Sequence, residues 1–273
     1  MRNFADYLLI NSEKVNKKIF INGKIKYSQL KKIINGVNKN FLINHKKKLF
    51  GLSLNLSEEF LILYLAIIKS GNTLVLLEKG LSNERYLEIC KKFKINFFIT
   101  NNKIQDINDS HFKKKSINLN IQNSIDNIHL YSINSKNKSE FRFRDIAVVL
   151  LTSGSTGEKK GVMLTHKNLI SNSNSILKIL PIKKKDIVNL LLPVSYSFGL
   201  SILNTHLKIN ASIYIHSSPF AGSLINELKK YKCNSFYGVP STFEILINKT
   251  NFLNISYPHL KYISQAGGDL SVD

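Results

Sequence analysis

The sequence predicts an α/β protein built as two lobes, each a parallel-type sheet with flanking helices. Three observations carry that expectation. Short apolar runs alternate with longer amphipathic stretches from residue 49 to residue 264, the pattern of strand–helix–strand units. The helical stretches between the runs act as crossovers, which implies parallel strands joined with right-handed connections. Glycine-bearing turns follow three of the runs, at residues 153–161, 196–199 and 266–269, where ligands sit in sheets of this kind. The three turns are expected to converge on one crevice.

The chain opens with residues 4–10, a short amphipathic helix. Residues 18–27 predict a hairpin, because Asn22-Gly23 between apolar runs is a type I′ turn signal. Ser28 is placed to cap the next helix, with Leu30, Ile33, Ile34 and Val37 on its apolar face. The strand–helix rhythm then begins. Residues 49–54 form a strand, and Ser57-Glu58-Glu59 opens a helix to Lys69 with acids in its first turn. Ser70-Gly71-Asn72 ends it. Residues 73–77, 83–93 and 96–100 follow as strand, helix and strand. Residues 101–144 are polar and irregular, with weak strand signals near Ile117 and Ile128, and form a connection between the lobes. Lobe one thus covers residues 1–144 and lobe two residues 145–273. In the second, strands fall at 146–151, 187–192, 211–216, 235–239 and 261–264, and helices start near Lys167, Phe198, Ser223 and Pro240.

Composition excludes several classes. With 273 residues and 43% hydrophobic content the chain can bury a real core. The net charge of +21 resembles a nucleic-acid signal. Yet the charge is nearly all lysine, the only arginines being Arg2, Arg85, Arg142 and Arg144, and the lysines sit in short runs between apolar segments. Solvated loops explain that pattern, so no specific nucleic acid is expected as a partner. Cys90 and Cys233 lie far apart inside amphipathic segments, as buried reduced thiols do in a cytoplasmic protein. Asp6 interrupts any signal-peptide core, and the apolar run at residues 60–68 is too short for a transmembrane segment.

The stretch from Thr152 to His166 organises the rest: T-S-G-S-T-G-E-K-K-G-V-M-L-T-H. It follows a buried strand and precedes a helix. Gly154, Gly157 and Gly161 allow positive φ and close backbone approach; Thr152, Ser153, Ser155 and Thr156 add hydroxyl donors; Lys159 and Lys160 add charge. Strand, Gly/Ser/Thr-rich loop and helix are the parts of a polyphosphate site. It is not a Walker A loop, since Glu158 follows Gly157 and Gly161 follows Lys160, and its glycine spacing is not that of a dinucleotide fingerprint. His166, alone at a helix start, has a structural reading ahead of a catalytic one.

This stretch resembles the signature of the AMP-forming acyl ligases, the superfamily of acyl-CoA synthetases, luciferase and peptide-synthetase adenylation domains. Lys159 stands where proline is usual. The segment P-V-S-Y-S-F-G-L at residues 193–200 resembles the superfamily's acyl-pocket segment, with Tyr196 in place of histidine, and S-Q-A-G-G-D-L at residues 264–270 resembles its adenine turn, with Asp269 in place of proline. The resemblance implies the incomplete N-terminal domain of the acyl-adenylating fold. It assigns the ATP phosphates to Thr152, Ser153, Gly154, Ser155, Thr156, Gly157, Lys160 and Gly161. It assigns adenine to Ala266, Gly267, Gly268 and Asp269, and the acyl pocket to Tyr196, Gly199, Val239 and Pro240. Implied with these are ATP and Mg2+, a small carboxylic acid, and coenzyme A or phosphopantetheine as the thiol acceptor.

Nothing in the chain matches the superfamily's magnesium-holding Y-G-x-T-E segment, its ribose-binding aspartate or its C-terminal catalytic lysine. No catalytic residue and no metal ligand is therefore assigned within residues 1–273, and a fragment is expected. A complementary C-terminal chain or an acyl carrier protein would then be a partner. Two readings stay open: an AMP-forming carboxylate ligase, or a truncated, non-catalytic relative that binds nucleotide or a partner.

Overall fold

The structure, a computed structural model, describes residues 3–104, 112–115, 128–133, 145–153, 158–216, 218 and 220–269. The chain divides into two compact units, Met1–Ile10 with Gln29–Asn172, and Asn11–Ser28 with Ser173–Asp273. These are not the expected lobes of residues 1–144 and 145–273. The strand that opens the phosphate motif hydrogen-bonds into the first sheet, and residues 11–28 fold with the second unit.

The first unit is built on a seven-stranded sheet. Its parallel heart is β1 (Leu49–Ser53), β2 (Thr73–Leu76), β3 (Phe97–Thr100) and β6 (Ile146–Ser153). The other strands are β4 (Phe112–Lys115), β5 (His129–Ile133) and β7 (Lys159–Thr165), all paired antiparallel, in the spatial order β4-β5-β3-β1-β2-β6-β7. The strand signal near Ile128 becomes β5, while Ile117 lies outside the described residues. The helices of this unit are α1 (Phe4–Leu8), α3 (Glu58–Lys69) and α4 (Asn83–Lys92), with most of α2 (Tyr27–Val37) and the first half of α5 (His166–Ile179). Ser57 caps α3 by accepting from Phe60 N at 3.2 Å. Every residue of α3 from Phe60 to Ile68 is buried, as befits a helix apolar on all sides. Among the described residues no helix is long and apolar enough to cross a membrane.

The second unit holds a four-stranded parallel sheet in the order β11-β10-β8-β9. Its strands are β8 (Ile187–Leu190), β9 (Ser212–Ile215), β10 (Ser235–Gly238) and β11 (Tyr262–Gln265). They alternate with α6 (Ser197–Lys208), α7 (Ala221–Lys230) and α8 (Pro240–Lys249), close to the sequence expectation. One side packs Leu224, Ile225, Leu228, Phe236, Phe243 and Leu246 into a core. Residues 18–27 do not form the expected type I′ hairpin. Neither Asn22 nor Gly23 has positive φ, and the turn is closed one residue earlier, by Gly23 N donating to Phe20 O at 3.0 Å. Only an isolated Lys18–Lys26 bridge links its arms, because Phe20 bridges Ile213 of β9 instead.

Both cysteines are buried, and burial raises both thiols, Cys233 to about 12, so they are inert apolar filling as expected. His206, fully buried on α6, donates from Nδ1 to Ile202 O at 2.8 Å. Burial lowers its pKa from 6.5 to about 4. A folded-state value below the unfolded one means that the unfolded chain binds the extra proton first. His206 therefore contributes its full stabilisation above about pH 6.5 and loses it as pH falls towards 4, a change on the order of 3 kcal/mol. Urea titrations at stepped pH through this window will show a steeper stability loss for the native chain than for His206→Leu; parallel curves would remove His206 as the source.

Candidate functional site

The phosphate motif is a hairpin arm. In β6 and β7 Thr152 stands opposite Lys160, Ser153 opposite Lys159, and Leu151 opposite Gly161. Opposed residues share a face and neighbours along a strand alternate. Thr152 and Lys160 are thus on one face, and both are exposed. Lys159 takes the other face, where Nζ meets Glu78 Oε1 at 2.6 Å, with both side chains largely buried. Glu158 pairs with Lys92 at 3.0 Å. Two ion pairs therefore hold the start of β7 to the body of the unit. Lys159 is neutralised structurally, and Lys160 keeps an exposed ammonium beside the Thr152 hydroxyl. Gly154, Ser155, Thr156 and Gly157 lie outside the described residues.

Two expectations for this motif are corrected. The loop does not lead straight into a helix. The seven residues of β7 intervene, so the start of α5 lies about 20 Å along the chain from the tip. A helix macrodipole acts only over its first turn, so α5 contributes nothing to a phosphate at the tip. The second correction is Gly161, which has no positive φ. A Cβ there would stand 2.9 Å from Phe93 Cε1 and 3.1 Å from Val149 Cγ1. Packing within the strand by itself therefore calls for glycine at this position.

The start of α5 is closed by local chemistry. Asn168 N donates to Thr165 Oγ1 and Thr165 N donates to Asn168 Oδ1, each at 3.0 Å. His166 Nδ1 accepts from Phe4 N at 3.1 Å, and burial lowers its pKa. Its neutral ring anchors the N-terminal helix α1, in line with the structural reading.

The turns of the second unit gather at the carboxyl edge of its sheet. The chain leaves β8 for β9 on one side and then returns to place β10 on the other. Such a reversal opens a crevice beyond the strand ends. Tyr196, half exposed, is the N-cap of α6 after β8. Gly199 sits in the first turn of α6, where a Cβ would fall 2.3 Å from Pro193 O. Val239 and Pro240 open α8 after β10, with Thr242 Oγ1 accepting from Val239 N at 3.2 Å. Beyond β11, Gly267 and Gly268 take φ of 98° and 156°, and Gln265 Nε2 donates to Gly268 O at 2.6 Å. Positions for their missing Cβ atoms lie 3.4 Å from Val239 Cγ1 and Pro240 Cγ respectively. The turn of Ala266, Gly267, Gly268 and Asp269 thus packs directly on the Val239-Pro240 turn, with Gly267, Gly268 and Asp269 exposed.

Sequence reasoning missed β7, since K-K-G-V-M-L-T shows no period-2 alternation, and it missed Glu78 as the partner of Lys159. Among the described residues no group of three or more His, Cys, Asp or Glu could hold a metal ion, and Glu78 and Glu158 are engaged by lysines.

Two sheets with flanking helices make this a mixed α/β protein. The chain belongs to the AMP-binding enzyme family, whose model matches residues 13–273. A long-chain-fatty-acid–CoA ligase of Escherichia coli O6:H1 is 32% identical over 137 residues, which cover 48% of this chain and 24% of the ligase. The polyketide synthase PksN of Bacillus subtilis is 29% identical over 156 residues, covering 56% of this chain and 3% of the synthase. The chain thus spans well under two thirds of these relatives. Among solved structures, the inhibitor-bound N-terminal domain of FACL13 from Mycobacterium tuberculosis superposes with a TM-score of 0.79 at 14% identity, covering 100% of this chain and 71% of that one. The o-succinylbenzoate CoA synthetase MenE from Bacillus subtilis, holding its acyl-adenylate intermediate, gives 0.71 at 19% identity, with 96% and 68% covered. At such identities these two show the fold alone.

The two lysines should separate cleanly. Lys160→Ala is expected to weaken ATP binding roughly tenfold or more in calorimetry, the loss of one charged hydrogen-bond donor. Lys159→Met is expected to cost about 1 kcal/mol in urea unfolding through the freed Glu78. Equal ATP affinity for Lys160→Ala and the native chain would remove Lys160 from the phosphate site.

Proposed function

We propose that this chain is the adenylate-forming portion of an AMP-forming carboxylate ligase. The observation that carries the reading is the exposed Lys160–Thr152 pair at the free end of the β6–β7 arm, in a chain of the AMP-binding family. The reaction joins a carboxylate oxygen of a small acid to the α-phosphorus of ATP. The bond from that phosphorus to the bridging oxygen breaks, and pyrophosphate leaves with the electron pair. Charge grows on the departing phosphates, where the Lys160 ammonium and the Thr152 hydroxyl act as donors. Gly154, Ser155, Thr156 and Gly157 belong to the same motif and add backbone and hydroxyl donors in this reading. Magnesium belongs to the bound nucleotide, since it favours phosphate oxygens and water over a protein cage.

Ala266, Gly267, Gly268 and Asp269 are assigned to adenine. The two glycines let this turn lie against Val239 and Pro240 while Gly267, Gly268 and Asp269 stay exposed, and that exposed backbone is the surface assigned to the base. Tyr196, Gly199, Val239 and Pro240 are assigned to the acyl group, at the crevice beside the strand reversal. Coenzyme A or a carrier-bound phosphopantetheine supplies the thiol that displaces AMP. An acyl carrier protein is the macromolecular partner in this reading.

ATP–pyrophosphate exchange against a panel of carboxylic acids, run alongside ATP calorimetry, tests this. Acid-dependent exchange is the expected result. ATP binding without exchange for any acid would favour the non-catalytic nucleotide-binding reading, and absence of ATP binding would remove both.

A further inference from the structure

The face of α6 that meets the sheet carries Phe198, Ile202 and His206, one position per turn. Phe198 lies in the first turn, at the carboxyl edge of the sheet, and His206 in the last. Eight residues of helix place them about 12 Å apart along the axis. The ring of Tyr237 on β10 meets Phe198 edge-on at 5.8 Å and His206 edge-on at 6.1 Å. One aromatic ring thus touches both Phe198, at the carboxyl edge, and His206, at the far end of the helix. Tyr237 is 3% exposed, and its hydroxyl lies 2.8 Å from that of Tyr262 on the neighbouring strand β11. The ring cannot swing aside without breaking that hydrogen bond.

On the His206 side of Tyr237 stands a buried polar group. His206 Nδ1 is committed to Ile202 O, which leaves Nε2 as a bare acceptor; it is buried and has no partner. Asn204, Thr205, Ser212 and Ser235 are buried in the same unit. An alkyl tail threaded past Tyr237 would cover the Nε2 lone pair without pairing it, and leaving such a group unsatisfied costs about 1–3 kcal/mol.

We propose that Tyr237, latched by Tyr262, is a specificity-determining residue that ends the acyl pocket just beyond Phe198 and limits the acid to short-chain or single-ring aryl carboxylates. The inference rests on the ligase reading, which places the acyl group beside Tyr196, Gly199, Val239 and Pro240. It departs from a long-chain substrate of the kind named for the Escherichia coli relative. Tyr237 lies one residue before the Gly238-Val239-Pro240 turn, and Phe198 lies between Tyr196 and Gly199, so the stop is adjacent in sequence to both assigned walls.

The test is calorimetry on the full chain with stable acyl-sulfamoyl adenosine conjugates of propionate, benzoate, octanoate and palmitate, with sulfamoyl adenosine as the reference. The propionyl and benzoyl conjugates are expected to bind more tightly than the reference, and the palmitoyl conjugate roughly tenfold or more weakly than benzoyl. Tyr237→Ala should shrink that ratio by a similar factor, and Tyr237→Leu serves if the alanine variant does not fold. Tyr262→Phe, which keeps the ring of Tyr237 and frees its hydroxyl, should give an intermediate ratio. Palmitoyl binding as tight as benzoyl in the native chain, or an unchanged ratio in a folded Tyr237 variant, overturns the pocket stop and leaves the ligase reading standing. Conjugates that bind no better than sulfamoyl adenosine itself overturn the acyl assignment, and the stop with it. Failure of sulfamoyl adenosine and every conjugate to bind overturns the ligase reading altogether.

Discussion

The pairing of β6 with two different neighbours is the constraint on which the first unit's candidate site depends. Along one edge β6 runs parallel to β2, from Leu74 opposite Val148 to Leu76 opposite Leu150. Along the other it runs antiparallel to β7, from Ile146 to Ser153. The first pairing seats the motif in a buried sheet. The second turns its latter half into a two-stranded arm. Strand alternation then decides the fate of two adjacent lysines: one faces the body and finds Glu78, and the other faces water beside Thr152. A shift of one residue in register would exchange them. The bulge between Ile146 and Val148 lies at the far end of the ladder and leaves the register near the tip intact.

The second unit uses a different device. Its sheet is wholly parallel, so every connection returns to the same edge and every strand-to-helix turn emerges there. The reversal of strand order between β8 and β10 then brings the Tyr196–Gly199 and Val239–Pro240 turns to one place. The glycine turn after β11 joins them because β11 is hydrogen-bonded to β10 in register, Gly238 beside Gln265. Gly199 shows how little slack this arrangement has, since the start of α6 lies against the backbone carbonyl of Pro193. His206 at the other end of α6 stays neutral, because burial lowers its pKa.

Much of this was legible in the residues. The strands at 49–53, 73–76 and 235–238 and the helices opening at Glu58 and Pro240 follow from apolar runs, a serine cap and a proline at the first helical position. Three departures share one cause. Asn22-Gly23 carries a hairpin signal, yet Phe20 pairs with Ile213, far away in the chain. Gly161 looked like a ligand-facing glycine, yet Phe93 lies where its side chain would be. Residues 11–28 precede the first strand, yet they fold with the last four. In each case a partner remote in sequence overrides a correct local preference.

By itself the sequence determined the α/β class, the order of most elements, the phosphate-type motif and the family resemblance, because these rest on periodicity, turn chemistry and short-range spacing. Tertiary structure alone decided that β7 exists as a partner of β6, that Lys159 is structural while Lys160 is exposed, and that Tyr237 stands locked between Phe198 and His206 by Tyr262. Those outcomes depend on register between strands and on rings supplied by separate elements. Such contacts form only when the sheets assemble, and no window of neighbouring residues encodes them.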